Sequence, residues 1–231
     1  MHVVSLVSPQ ERCAKTTLAA HVALQAHRSG TKPVALVDAD EKGDLSNWSR
    51  LRRERDPPCV AATGADLPRT LNELEKSGVQ LAVVDTASDF SSDFEAAIAS
   101  SDLILMPINA GDLNVLSIIG SLRLAERQGK PLVFVVNRRD IDDEDFMSST
   151  IELAQHGTIA PVVLPLCPQV PDLMKRGECT FEQASPPEFP IAELWSYIQS
   201  RLTRPASAKP TFTVSNGAAS ALRRRVGILA D

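Results

Sequence analysis

Residues 3–17 read Val-Val-Ser-Leu-Val-Ser-Pro-Gln-Glu-Arg-Cys-Ala-Lys-Thr-Thr. An apolar run passes through a turn into a helix that opens on Lys15, Thr16 and Thr17, the layout of a loop that wraps a phosphate. In such a loop, backbone N–H groups curl around the anion, a lysine reaches the outer phosphates and the next hydroxyl holds Mg²⁺. Lys15 and Thr16 are the residues that this chemistry requires. The turn ahead of them is unusual, because Glu11, Arg12 and Ala14 stand where small or positive-φ residues are expected. A left-handed backbone at Ala14 is expected to cost about 1–2 kcal/mol. The Glu11 carboxylate repels a triphosphate, whereas the Arg12 guanidinium either compensates or forms a surface pair with Glu11. Cys13 reads as a small filler.

Working outward, two more apolar runs end in acid. Residues 33–38, Pro-Val-Ala-Leu-Val-Asp, lead into Ala39 and Asp40, and residues 79–86, Val-Gln-Leu-Ala-Val-Val-Asp-Thr, end on Asp85 and Thr86. Acidic residues just past a strand lie where open α/β sheets place ligands. Capping of the following helix explains either aspartate alone equally well. Two of them after adjacent apolar strands, with Lys15 nearby, point to a site.

The same alternation continues along the chain. Strands are predicted at 2–7, 33–38, 59–62, 79–86, 103–108, 132–137 and 160–166, with helices at 15–29, 66–77, 91–99, 112–128, 147–156 and 191–202 and a short one carrying Trp48. Leu113, Leu116, Ile119 and Leu122 recur at helical spacing, the charged stretch 138–146 reads as a surface loop and 165–171 as a Pro-rich turn. Strands and helices of these lengths predict an α/β, doubly wound, mostly parallel sheet with helices on both faces.

The 231 residues divide into one domain over 1–202 and a linker with a short basic tail over 203–231. A net charge of −5 excludes a uniformly basic nucleic-acid coat, so any DNA contact has to come from local clusters. Candidates are Arg50, Arg52, Arg53 and Arg55, and at the C-terminal end Arg201, Arg204, Arg223, Arg224 and Arg225. The four cysteines form no Cys-x-x-Cys pair and the histidines show no metal-ligand spacing, which fits reduced thiols in a cytoplasm. No export segment or membrane span is expected, and Val226, Ile228 and Leu229 give the tail only a small apolar face for a membrane.

The three strand ends, in the order Lys15-Thr16-Thr17, Asp38-Ala39-Asp40 and Asp85-Thr86, resemble the ParA/MinD family of deviant P-loop ATPases. The likeness is greatest to its short members, the single-domain plasmid-partition ATPases and the VirC1-like proteins of conjugative DNA transfer. It extends over residues 1–202 and includes residues 36–48 and the run ending Val135-Val136-Asn137-Arg138. The resemblance implies a P-loop fold with ATP and Mg²⁺ as cofactors. Lys15 would bind the β and γ phosphates, Thr16 the Mg²⁺ and Thr17 the α phosphate, with Arg12 and Ala14 in the loop around them. Asp40 would position the attacking water with Asp38 beside it, Asp38 and Asp85 would act on Mg²⁺ (Asp85 through its water), and Asn137 would meet the adenine. Phosphoryl transfer needs this kind of electrostatic positioning more than covalent chemistry. The family loop is Lys-Gly-Gly-x-Gly-Lys-Thr-Thr, so Gln10 replaces a lysine that reaches the partner's nucleotide across a dimer, and three glycines are gone. Nucleotide binding and hydrolysis are therefore expected to be weakened.

Two functions follow from the resemblance. One is a positioning or partition ATPase whose nucleotide-dependent homodimer binds DNA without sequence preference and answers to a stimulating adaptor protein, in a bacterial cytoplasm or on its nucleoid. The other is a non-catalytic binding module that docks a partner or DNA independently of ATP.

Overall fold

The computed structural model describes residues 1–88, 92–112, 115–137 and 142–203. Strands His2–Leu6 (β1), Val34–Ala39 (β2), Cys59–Ala61 (β3), Leu81–Thr86 (β4), Leu103–Asn109 (β5), Leu132–Asn137 (β6) and Thr158–Leu164 (β7) form one sheet. Its order is β3-β2-β4-β1-β5-β6-β7, and every neighbouring pair is parallel. The intervening helices are Lys15–Arg28 (α1), Asp44–Leu51 (α2), Asp66–Lys76 (α3), Ser92–Ser100 (α4), Val115–Arg127 (α5), Asp143–His156 (α6), Val170–Met174 (α7) and Ile191–Leu202 (α8).

Strand side chains alternate between two apolar layers, as the two-residue period of a strand requires. Val4, Leu6 and Leu36 pack with α1, α2 and α8, whereas Val3, Val37 and Ala39 pack with α3 and α4. Met106, Ile108, Phe134 and Val136 meet α5 and α6 on that second face. Helices thus cover both sides, which is why the central strands read as unbroken apolar runs. In α1, small side chains at Ala19, Ala20, Ala23 and Ala26 are fully buried with Leu18 and Val22, so the helix lies close against the sheet.

Several expectations need correction. The stretch expected as a charged loop to residue 146 already turns helical at Asp143, because the Asp142 carboxylate caps α6 by accepting from the Asp145 N–H at 2.8 Å. Residues 138–141 lie outside the described residues. The last strand runs from Thr158 to Leu164 instead of 160 to 166, and the Pro-rich turn leads into the one-turn helix α7, with a proline in its first turn. In α5 the inward stripe is set by Ile118 and Ala125, and Leu116 is 83% exposed. Leu113 lies outside the described residues. No helix among the described residues is long and apolar enough to cross a membrane.

Candidate functional site

Strand β1 lies mid-sheet between β4 and β5, and the chain leaves its C-terminal end where ligand crevices form in open α/β sheets. The loop that follows has left-handed backbone at Arg12 (φ 53°) and Ala14 (φ 70°), two of the three places expected to need glycine. Neither residue prefers that conformation, so about 1–2 kcal/mol of strain at each must be met by contacts elsewhere. Those contacts come from the ends of β5 and β6. Asn137 Nδ2 donates to the Cys13 carbonyl at 2.7 Å, Asn109 Nδ2 to the Arg12 carbonyl at 3.3 Å, and the Asn109 N–H to Gln10 Oε1 at 3.0 Å. The two asparagines are register partners on adjacent strands. At about 0.5–1.5 kcal/mol net for each bond, this brace is of the size needed to hold the strained turn.

Lys15 is buried inside the loop. Its ammonium donates to the Ser8 carbonyl and the Gln10 carbonyl, both at 3.2 Å, and to Ser88 Oγ at 2.6 Å. Ala14 provides no side-chain cap for α1, so the first N–H groups of that helix are left for an anion. Glu11 and Arg12 are both exposed, and the surface ion pair expected between them is absent. Cys13 is buried, with its thiol on the Gln10 carbonyl at 3.1 Å and its pKa raised by burial, in keeping with a filler.

The aspartates that end β2 and β4 are also register partners. Asp38 is used as a structural acceptor: Oδ2 takes the Ser46 N–H at 2.7 Å and Oδ1 the Asp40 N–H at 3.3 Å, fastening the first turn of α2. Asp40, half-buried, accepts from the Lys42 N–H at 3.0 Å. Asp85 is different. It is buried, its Oδ1 has no partner, and desolvation pushes its pKa up to about 7, with Asp38 and Asp40 raising it further. Lys15 and the Thr16 hydroxyl act in the opposite direction, although Thr16 closes no hydrogen bond of ordinary length to it. An orphaned buried carboxylate oxygen next to a threonine hydroxyl is a donor set that suits a hard cation or its bound water. These residues therefore fit Mg²⁺ beside a triphosphate.

Lys15, Thr16, Asp38 and Asp40 all act on Asp85, which brings the five together, and Arg12 and Ala14 lie in the loop that leads to Lys15. Asn137, expected at an adenine, directs its amide to the loop. Four residues after Thr17, His21 anchors the helix from behind: its Nδ1 meets the Thr17 carbonyl at 2.7 Å, and Nε2 accepts from the Thr180 N–H at 3.1 Å. That pairing places the proton on Nδ1. Burial lowers the His21 pKa to about 4, against the Thr17 carbonyl and Glu182, which raise it.

Of the arginines considered for DNA, Arg52 is a correction. It is buried, grips Glu182 through two bonds at 3.0 and 3.1 Å, donates to the Gly177 carbonyl at 3.1 Å and lies 4.9 Å over the Trp48 ring. Burial works to raise Glu182, but the Arg52 fork and the Cys179 N–H outweigh it and hold the carboxyl below its ordinary range. Gly177 is needed for this approach, since a Cβ there would lie 2.7 Å from the Arg52 nitrogen. Arg50, Arg53 and Arg55 remain exposed and Arg201 is half-exposed, while Arg204, Arg223, Arg224 and Arg225 lie outside the described residues. Ser8, Ser88, Asn109 and Ser46 escaped the sequence reading. Asn109 alone carried a signal, as an amide ending a strand in the same way as Asn137.

The model of the VirC1 protein family matches residues 1–127. No curated protein sequence matches the chain. Among solved structures, the MinC:MinD cell division protein complex of Aquifex aeolicus superposes with a TM-score of 0.66 at 19% identity, covering 92% of this chain and 99% of that one. MinD of Pyrococcus horikoshii OT3, complexed with Mg-ADP, gives 0.66 at 15% identity, covering 89% and 97%. A putative plasmid partition protein of Borrelia burgdorferi B31 bound to AMPPNP gives 0.62 at 11%, covering 87% and 97%. At these identities the structures speak for the fold, and the family model speaks for the sequence. On a sheet of the ParA/MinD P-loop type, with more than half its length matched, this chain belongs to the VirC1 protein family.

Proposed function

We propose that the chain is a nucleotide-dependent partition or positioning protein, in which ATP and Mg²⁺ close a dimer that holds DNA without sequence preference until an adaptor stimulates release. The observation that carries this reading is the loop itself. Without one glycine it keeps left-handed backbone at Arg12 and Ala14, and a buried lysine at the uncapped start of α1. A chain that retains strain of this kind has a use for the geometry.

The uncapped N–H groups of α1 and Lys15 would bind the phosphates, Thr16 and Asp85 would hold the cation, and Asp40 would orient water. ATP, when bound, supplies the phosphoanhydride to be hydrolysed. Exposed Glu11 weakens the site, and its carboxylate is the reason to expect slow turnover. Residues 203–231 would act as a separate basic tail that adds to DNA retention.

Calorimetric titration of Mg·ATP into the full chain tests the reading. Micromolar affinity that falls about a hundredfold in Lys15→Ala, a loss of ~2.7 kcal/mol, is expected. Absence of heat at millimolar ATP would overturn it in favour of the second reading, a binding module independent of ATP. One observation favours that alternative: Gln10, standing where the family's cross-dimer lysine is expected, turns its side chain inward to the Asn109 N–H.

A further inference from the structure

The sheet ends at the short edge strand β3, and between β3 and α2 lies an open cavity of about 410 Å³. Its wall includes Ser46, Ser49, Arg50, Arg55 and Cys59, two guanidinium groups and two hydroxyls with no carboxylate. Small-ligand sites span roughly 300–1,000 Å³, so the space admits a phosphate with its attached sugar.

The cationic groups belong to the wall itself, with Asp38 and Asp85 acting on Cys59 from the neighbouring strand ends. Arg52, in the same run, is buried and neutralised by Glu182, whereas Arg50, Arg53 and Arg55 are exposed. Of the two acids that flank Arg55, Asp56 sits 3.6 Å from His27 and Glu54 is exposed. Arg50 is held in place by bonds from Nε to the Ser46 carbonyl at 3.2 Å and from Nη2 to Asn47 Oδ1 at 3.0 Å, which leaves Nη1 without a protein partner among the described residues. A guanidinium fixed along one edge loses little freedom when the other edge takes a phosphate oxygen.

We propose that this cavity is a second anion site, separate from the loop at Lys15, that takes a phosphate group through Arg50, Arg55 and the Ser46 and Ser49 hydroxyls. The phosphate belongs either to a nucleic-acid backbone or to a small phosphorylated molecule. Its wall is one hydrogen bond from the other site, because the Ser46 N–H is the donor held by Asp38 at 2.7 Å.

Cys59 reports on the cavity, being half-buried where Cys13, Cys167 and Cys179 are buried. In the full chain carrying Lys15→Ala, so that the first site does not contribute, site-resolved alkylation of Cys59 by iodoacetamide is followed with inorganic phosphate and with a short DNA duplex. Ligand at ten times its dissociation constant is expected to slow alkylation about tenfold. Protection is expected to vanish in Arg50→Gln/Arg55→Gln, whose exposed positions leave the fold intact. Protection by the duplex alone assigns a nucleic-acid backbone, with a salt dependence reduced by about two phosphates in the double variant. Protection by free phosphate assigns the small-molecule source. Unchanged alkylation with both ligands, or protection that survives the double substitution, overturns the site.

Discussion

The ends of β2 and β4 look alike in sequence and differ in the folded chain. Each is an apolar run closing on aspartate, and Asp38 and Asp85 are partners in the sheet. Asp38 Oδ2 accepts the Ser46 N–H at the start of α2 and Oδ1 the Asp40 N–H of the loop before it, whereas Asp85 is buried with one oxygen unpaired. The first end is held by its own chain, and the second is arranged for something added to it. Burial without a partner is tolerated at only one of the two, and that is the end proposed for the cation.

Exchanging the carboxylates for neutral groups breaks this comparison most directly. Asp85→Asn is expected to remove the Mg²⁺-dependent part of ATP affinity, about a hundredfold by calorimetry with and without EDTA. The same variant should melt no lower than the parent, since it removes a desolvated charge. Asp38→Ala does the reverse to stability. Loss of the acceptor for Ser46 is expected to cost about 2 kcal/mol, a fall of ~4–8 °C in Tm. Equal destabilisation by both substitutions would mean that the two ends do the same work.

A smaller effect tests the loop brace. Asn137→Ala is expected to cost about 1 kcal/mol and Ala14→Gly to return a similar amount by relieving left-handed strain, measured by urea denaturation. Combined, the two should restore parental stability more fully than their sum if the brace exists to hold the strained turn.

The smallest signal is in pH. Asp85 has its folded pKa raised from 3.8 to about 7, so it binds its proton more tightly folded than unfolded. Its contribution is complete below pH 4 and is lost as pH rises to 7. His21 has its folded pKa lowered from 6.5 to about 4, so its contribution is complete above 6.5 and is lost as pH falls toward 4. The slopes oppose one another between those limits. In Asp85→Asn, stability is therefore expected to rise more steeply from pH 4 to 6.5 than in the parent, and His21→Gln should flatten that rise. Mg²⁺-dependent binding, which needs the Asp85 carboxylate, should strengthen as pH passes 7.

Much of the architecture was legible because burial on both faces writes a continuous apolar run for each central strand. The five interior strands, β1, β2, β4, β5 and β6, and the α1 contacts of Leu18 and Val22 follow from that pattern. Edge elements were harder. Residues 142–146 carry so much charge that the cap at Asp142 was hidden within it, and Leu116 fits a helical stripe yet lies outside the core. Arg52 is indistinguishable in sequence from Arg50, Arg53 and Arg55. Its fate depends on Glu182, which lies 130 positions away along the chain.

The sequence by itself determined the parallel doubly wound sheet, the place of Lys15 at the opening of α1 and the acids at two strand ends, because these depend on local periodicity and the order of short motifs. Tertiary structure decided how a loop without glycine stays in its left-handed turn and which aspartate is left unpaired. Those outcomes rest on partners such as Asn109, Asn137 and Ser46, whose positions exist only once the strands are in register. A side chain's role at such a site is set by what its neighbours leave unsatisfied, and that is a property of the assembled fold.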